Sequence, residues 1–137
     1  MIVVDTNVIG YLFLSSEQSL LAERALQKDS EWAAPILWRS EFRSVLTLYM
    51  RKKLITLQQA QSIMNGALEL LRGREYEVLS YEVLRLATET NCSAYDCEFI
   101  AVAKDLNVPL VTVDKQLIRE FPTVTLSLRT FSQESQN

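Results

Sequence analysis

Short runs of β-branched residues alternate along the chain with longer segments in which apolar residues recur every three or four positions. The clearest runs lie at 2–4 and 110–113 and are typical of buried strands, whereas weaker strand candidates lie at 32–34, 76–79 and 124–126. Strands separated by helices favour parallel pairing through right-handed crossovers. The pattern therefore predicts one α/β domain with three α/β/α layers around a short central parallel sheet.

The helical segments are bounded by residues that commonly cap or open helices. Thr56 and Ser93 precede two of these segments as N-cap candidates, and Pro35 occupies the favoured first-turn position of another. Helices are predicted over 6–14, 17–28, 35–53 and 57–72, over a segment that ends near 89, and from 93 onward. Residues 132–137 are polar and offer little to bury, so we expect a domain over 1–131 followed by a disordered tail.

The composition limits the possible functions of the protein more than it limits the possible folds. The chain has 137 residues, of which 48% are hydrophobic, and its formal net charge of −3 provides no long-range attraction to nucleic acid or to a membrane surface. It contains no histidine, which excludes Ser-His-Asp and Cys-His nucleophiles and histidine metal sites. Two cysteines cannot hold zinc alone. Without a leader or a long apolar run, we expect a cytoplasmic protein with no membrane partner.

Two acidic residues directly follow the two clearest strands. Asp5 follows the run at 2–4, and Asp114 follows the run at 110–113. The carboxyl ends of parallel strands meet at one edge of a sheet, and ligands bind there. The ordinary alternative is that each residue only caps the helix that begins after it.

Glu41 lies on the apolar stripe of its predicted helix, which it shares with Val45 and Leu48. A lone ionised carboxylate is costly to bury, so Glu41 must be neutral, paired or bound to a cation. An ion pair with Arg39 or Arg43 is one alternative.

A fourth acid, Asp96, shares a helical face with Ile100 and Ala103, although its spacing from Ser93 also resembles a capping box. Four acids at one end of a sheet repel each other unless a divalent cation neutralises them. Oxygen ligands favour Mg²⁺ or Mn²⁺ over zinc, and either ion can activate water for phosphodiester hydrolysis without histidine.

These acids also carry a resemblance to a known family. The matching residues are Val3-Val4-Asp5-Thr6-Asn7, the mid-helix Glu41, Ser93-Ala94-Tyr95-Asp96 and Thr112-Val113-Asp114. In order and spacing the chain resembles PIN-domain ribonucleases from Ile2 to about Phe131, and it is most similar to the VapC-type toxins of type II toxin–antitoxin pairs.

The resemblance implies a Mg²⁺- or Mn²⁺-dependent endoribonuclease. Asp5 and Asp96 would be the main metal ligands, and Glu41 and Asp114 would complete the acidic pocket. The resemblance further implies an RNA substrate, an antitoxin that covers the pocket, and a homodimer. Further roles are expected for the residues around the acids: hydrogen bonds to the acids from Thr6, Asn7 and Thr112, and contact with phosphate or with a partner's acidic segment from Arg39 and Arg43. Glu98 follows Asp96 at i+2, so we expect it to project to a different face of the helix and not to be a ligand, while an extra acid near the helix start stays open as an alternative.

Three other functions compete with this interpretation. A receiver-like phosphoryl-signalling domain usually needs adjacent acids after the first strand, but Val4 and Thr6 flank Asp5. An aspartate-nucleophile hydrolase needs a second acid where Asn7 stands. A binding-only PIN-like module that lacks turnover stays open as an alternative.

Overall fold

A five-stranded parallel sheet forms the centre of the protein, with the strand order β3-β2-β1-β4-β5. The computed structural model describes residues 1–133. The strands are β1 (Ile2–Val4), β2 (Trp32–Pro35), β3 (Glu75–Tyr76), β4 (Leu110–Thr112) and β5 (Thr125–Ser127). The helices are α1 (Thr6–Phe13), α2 (Ser19–Lys28), α3 (Trp38–Arg51), α4 (Leu57–Leu70), α5 (Ser80–Glu89), α6 (Ala94–Leu106), α7 (Lys115–Glu120) and α8 (Leu128–Gln133). The predicted α/β class with a parallel sheet is confirmed.

Strand β1 lies at the middle of the sheet because it is apolar on both faces. All three of its residues are buried, and Val3 is in register with Ala33 on one side and Leu110 on the other. From β1 the chain builds outward to β2 and β3, and it then returns to place β4 on the opposite side of β1. The strand order therefore reverses between β1 and β4, and a crevice forms at the carboxyl ends of strands at such a reversal.

Helices cover both faces of the sheet. Helix α6 packs against β1 and β2 with α5 against it, while α1 and α8 contact β4 and both contact α2. Helices α3 and α4 pack against α1, where the rings of Phe13 and Phe42 lie 6.4 Å apart between centroids. Within residues 1–133, no helix is long and apolar enough to cross a bilayer.

Pro35 ends a strand and does not begin a helix, so the prediction of a helix from 35 was wrong. The N–H groups of Ala34 and Ile36 donate to Arg74 O (3.1 Å) and Tyr76 O (2.9 Å). In a parallel ladder alternate residues face the same neighbour, so the missing N–H of Pro35 falls on the side away from β3. Helix α3 starts three residues later, at Trp38.

The ends of β3 and α8 also differ from the sequence predictions. Strand β3 covers only Glu75–Tyr76, because these are the residues that pair with β2 before α5 begins. Helix α8 continues through Gln133, and the Ser132 hydroxyl donates to Leu21 O at 2.8 Å. The prediction of disorder was therefore wrong for Ser132 and Gln133, because a polar residue can satisfy a carbonyl of a neighbouring helix. The rest of that prediction, for residues 134–137, lies outside the described residues.

A partly buried network holds the start of α3 against β3. The carboxylate of Glu75 accepts hydrogen bonds from Trp38 Nε1 (2.7 Å), Arg39 Nε (2.6 Å) and Arg39 Nη2 (2.6 Å). Hydrogen bonding from Arg39, reinforced by Trp38, lowers the pKa of Glu75. Because the Trp38 side chain is fully buried, its indole N–H has no water to replace this acceptor.

We expect Glu75→Ala to lower the free energy of unfolding by about 1–3 kcal/mol, because it leaves the buried Trp38 N–H without an acceptor and frees Arg39. Urea denaturation monitored by tryptophan fluorescence measures this loss. The matched control is Glu77→Ala, two residues along and exposed, which should change stability by less than about 0.5 kcal/mol. Equal losses for the two variants would show that the network does not stabilise the fold.

Candidate active site

All four of the acids singled out from the sequence line one cleft of about 350 Å³ at the carboxyl ends of β1 and β4. Asp5 and Asp114 come from the segments after these strands, Glu41 from α3 and Asp96 from α6. The complete lining consists of Asp5, Thr6, Asn7, Glu41, Ser44, Val45, Asp96, Phe99, Asp114 and Leu117. The expected convergence of the acids at one edge of the sheet is therefore present in the fold.

Asp5 is the most buried of these acids, with 8% of the residue exposed. One carboxylate oxygen caps helix α1 by accepting from the Val8 N–H at 3.0 Å, and the other accepts from the Thr112 hydroxyl. Burial raises the pKa of Asp5 from its ordinary value of 3.8 to about 6. The hydrogen bonds from Thr112, Val8 and Val113 oppose this rise, while the charge of Asp114 adds to it.

Thr112 connects two of the acidic segments. Its hydroxyl donates to Asp5 and accepts from the Asp114 N–H at 3.0 Å, and the side chain is fully buried. Asp114 in turn caps α7 by accepting from the N–H groups of Gln116 (2.9 Å) and Leu117 (3.1 Å). Asp5 and Asp114 thus combine the capping role, which was the ordinary alternative, with a place in the cleft.

Glu41 is half-buried and is held by a neighbouring hydroxyl. The Thr6 hydroxyl donates to Glu41 Oε1 at 2.7 Å. Burial raises the pKa of Glu41, and the charge of Asp96 raises it further, against the hydrogen bond from Thr6. The alternative ion pair with Arg39 or Arg43 was wrong, because Glu75 holds Arg39 and no ion pair of Arg43 occurs within residues 1–133.

Asp96 lines the cleft, and its carboxylate has no hydrogen-bond partner among residues 1–133. Ser93 caps α6 by accepting from the Asp96 N–H at 3.0 Å, as predicted. The Asp96 side chain does not return a hydrogen bond to any other described residue, so the spacing is not a reciprocal capping box. The partly buried carboxylate is therefore available to a ligand.

Asn7 is placed differently from what the resemblance implied, whereas Glu98 lies outside the cleft, as its i+2 spacing from Asp96 predicted. Asn7 lines the cleft, but its exposed side chain makes no hydrogen bond to the acids in the described part of the chain. Glu98 lies in a neighbouring groove beside Ile36 and Leu84. Burial raises the pKa of Glu98, and the charge of Glu41 adds to the rise.

Sequence reasoning did not assign Ser44 and Leu117 to the site. Ser44 is exposed on α3 and lies one helical turn after Glu41, so its i+3 spacing from that acid was the available signal. Leu117 lies three residues after Asp114 and had the same signal.

The donor set fits a hard divalent cation. The lining offers carboxylate, hydroxyl and amide oxygens, and no lysine or arginine is among the described residues that form it. Burial is the main cause of the raised pKa values of Asp5 and Glu41, and the charges of Asp114 and Asp96 add to them. Within residues 1–133, no group of three or more acidic or cysteine side chains is arranged to hold a metal ion. Mg²⁺ is held by one or two carboxylates and keeps several waters, and the oxygen atoms of the lining are ligands of that type.

Comparison with known proteins decides the family. The family model for the PIN domain matches residues 2–121. The chain belongs to the PIN domain family. A relative from Pyrobaculum aerophilum named Ribonuclease VapC3 is 27% identical over 126 residues, which cover 90% of this chain and 96% of the relative. The receiver-like and aspartate-nucleophile alternatives are therefore wrong for this PIN domain.

Solved structures support the same fold. The crystal structure of PAE2754 from Pyrobaculum aerophilum aligns with a TM-score of 0.75 at 20% identity and covers 96% of this PIN domain chain and 85% of that chain. A toxin–antitoxin complex from Klebsiella pneumoniae aligns with a TM-score of 0.68 at 16% identity, covering 93% and 98%.

The raised pKa of Asp5 predicts a specific pH dependence of stability. A carboxyl whose folded pKa lies above its unfolded value contributes stability below the unfolded value, near 3.8, and loses it as pH rises through about 6. In EDTA at pH 7.5, Asp5→Asn should therefore raise the free energy of unfolding by about 1–3 kcal/mol, and the gain should shrink as pH falls toward 4.

Urea denaturation across this pH range measures the difference. Glu23→Gln, which removes an exposed acid on α2, provides the control and should leave the pH dependence unchanged. If Asp5→Asn gave no gain at pH 7.5, the burial of an ionised Asp5 would not destabilise the folded protein.

Proposed function

We propose that this PIN domain is a Mg²⁺- or Mn²⁺-dependent endoribonuclease, and that it acts in the cytoplasm as the toxin of a toxin–antitoxin pair. The observation that carries the proposal is the cleft in which Asp5, Glu41, Asp96 and Asp114 meet without a protein cation among the described lining residues. The name of the Pyrobaculum relative, Ribonuclease VapC3, supports RNA as the substrate.

In this proposal Asp5 and Asp96 are the main metal ligands, and Glu41 and Asp114 complete the acidic pocket. A bound divalent ion would lower the pKa of a water molecule and stabilise the charge that develops on the phosphate. Thr112 orients the Asp5 carboxylate and joins it to the Asp114 segment, so the two acids keep a fixed relation while RNA enters.

Glu41 is the best candidate to accept the proton of the attacking water. Its Oε1 atom is held by Thr6, which leaves Oε2 for a proton. Because the pKa of Glu41 is raised, it lies closer to neutral pH than that of an ordinary glutamate, and a general base is most effective when its pKa is near the operating pH.

The proposed partners are an antitoxin and a second copy of this chain. The Klebsiella structure is a toxin–antitoxin complex, which supports an antitoxin partner. That this antitoxin covers the acidic cleft stays a prediction. The homodimer stays a prediction. Sedimentation of the purified protein, alone and with any co-expressed partner, would report both associations.

The test of the proposed function is cleavage of a mixed RNA substrate with Mg²⁺, with Mn²⁺ and with EDTA. Asp96→Asn and Glu41→Gln should each reduce the rate by at least about 100-fold, because each removes a group that acts on the reacting phosphate or water. EDTA should abolish cleavage by the unaltered protein.

Glu23→Gln, purified in the same way, controls for the loss of an acid outside the cleft and should cleave like the unaltered protein, whereas the two cleft variants reveal any contaminating nuclease. Cleavage that persists in EDTA or in Asp96→Asn would refute the metal-dependent mechanism. RNA binding without cleavage by the unaltered protein would favour the binding-only alternative.

A further inference from the structure

The charge of the chain is divided very unevenly. All 17 acidic residues lie outside residues 42–68. This segment carries four basic residues, which are Arg43 and the consecutive residues Arg51, Lys52 and Lys53. We call these last three residues the basic tip, because they stand where α3 ends and turns toward α4. A charge block of this kind in an acidic protein marks a place where an anion can bind.

The acidic cleft cannot attract RNA by itself. Its described lining has four acids and no lysine or arginine, and Arg39, which lies close by on α3, is neutralised by Glu75. Binding of nucleic acid nevertheless depends chiefly on contacts between phosphates and basic side chains. The basic side chains that hold the RNA backbone must therefore lie outside the cleft.

Helix α3 connects the cleft to the basic tip along one exposed stripe. Glu41 lines the cleft near the start of the helix, and Ser44 also lines it one turn later. Leu48 is 51% exposed and lies four residues beyond Ser44, and Lys52 lies four residues beyond Leu48. At about 1.5 Å per residue, Arg51 lies about 15 Å from Glu41 along the helix axis, which is a distance that single-stranded RNA can span.

The side chains of the basic tip are available to a ligand. All three residues are exposed, and they form no ion pair within residues 1–133. Lys53 also has a left-handed backbone with φ of 61°, at a position after a helix where glycine or asparagine is favoured. The helix dipole favours basic residues in the last turn of a helix, which explains the presence of Arg51. It does not explain why a lysine occupies the left-handed backbone position at 53.

We propose that Arg51, Lys52 and Lys53 bind the phosphates of the RNA strand several nucleotides away from the bond that is cut. Helix α3 would then hold the basic tip and the acidic cleft at a fixed separation on one rigid element. This inference rests on the proposed function, because it assumes that the cleft acts on RNA.

The decisive measurement is the affinity for a fluorescently labelled single-stranded RNA in EDTA, followed by anisotropy at several salt concentrations. The triple variant Arg51→Gln/Lys52→Gln/Lys53→Gly should bind about tenfold more weakly at low salt. The slope of log affinity against log salt should become shallower by about 2, because up to three phosphate contacts are lost.

The control is Arg24→Gln/Lys104→Gln/Arg129→Gln, which removes the same charge from three exposed positions on α2, α6 and α8. It should change the affinity by less than about threefold, since net charge alone acts weakly at a distance. The single variant Lys53→Gly separates binding from folding, because glycine adopts the left-handed backbone without strain. It should bind RNA more weakly while its urea midpoint stays the same or rises.

Equal losses of affinity in the two triple variants would overturn the proposal, because they would show a net-charge effect. Unchanged RNA affinity in the basic-tip variant, together with lost binding of labelled poly-L-glutamate, would overturn it in favour of an acidic protein partner at this surface.

Cleavage kinetics distinguish failure of this proposal from failure of the proposed function. With a long RNA the basic-tip variant should have a raised KM and an unchanged kcat, whereas with a dinucleotide it should match the unaltered protein. An unchanged KM on the long RNA overturns the basic tip alone. Retained cleavage by Asp96→Asn overturns the mechanism in the acidic cleft, whatever the KM values are.

Discussion

The burial of the Asp5 carboxylate is the constraint on which the rest of the site depends. Asp5 directly follows the central strand β1 and caps helix α1, so the fold places it at the point where the strand order reverses. There it is held by Thr112 and by the Val8 N–H, yet burial and the charge of Asp114 still raise its pKa to about 6. Keeping such a group ionised near neutral pH lowers the stability of the folded protein, and a bound cation would offset this cost.

Much of this arrangement could be predicted from sequence because it depends on local signals. The apolar run at 2–4 fixed β1, and the positions of Asp5 and Asp114 after strands followed from parallel pairing. Contacts between distant segments could not be predicted in this way. The role of Arg39 depends on Glu75, which is 36 residues away, and the place of Pro35 depends on which neighbour its missing N–H faces. Propensity alone therefore favoured a helix start at Pro35, and local spacing suggested Glu41 as a partner for Arg39.

Helix α3 joins the two electrostatic regions of the molecule. Its first turn is fixed to β3 by the network of Trp38, Arg39 and Glu75, which positions Glu41 beside Thr6. Its far end carries the basic tip, which is separated from the cleft by neutral and apolar residues. One helix thus places an acid of the cleft, proposed to bind a cation, and the basic tip, proposed to bind phosphate, at a set distance. The net charge of −3 for the whole chain gives no sign of this separation of acidic and basic side chains.

The central claim is that the acidic cleft binds a divalent cation, and calorimetric titration of Mn²⁺ into the metal-free protein at pH 7.5 tests it most directly. The account predicts saturable binding to the unaltered protein and to Glu23→Gln, and affinity at least about tenfold lower for Asp96→Asn. If Mn²⁺ bound equally well to Asp96→Asn, or did not bind to the unaltered protein at all, the four carboxylates would not form a metal site and the account would be contradicted.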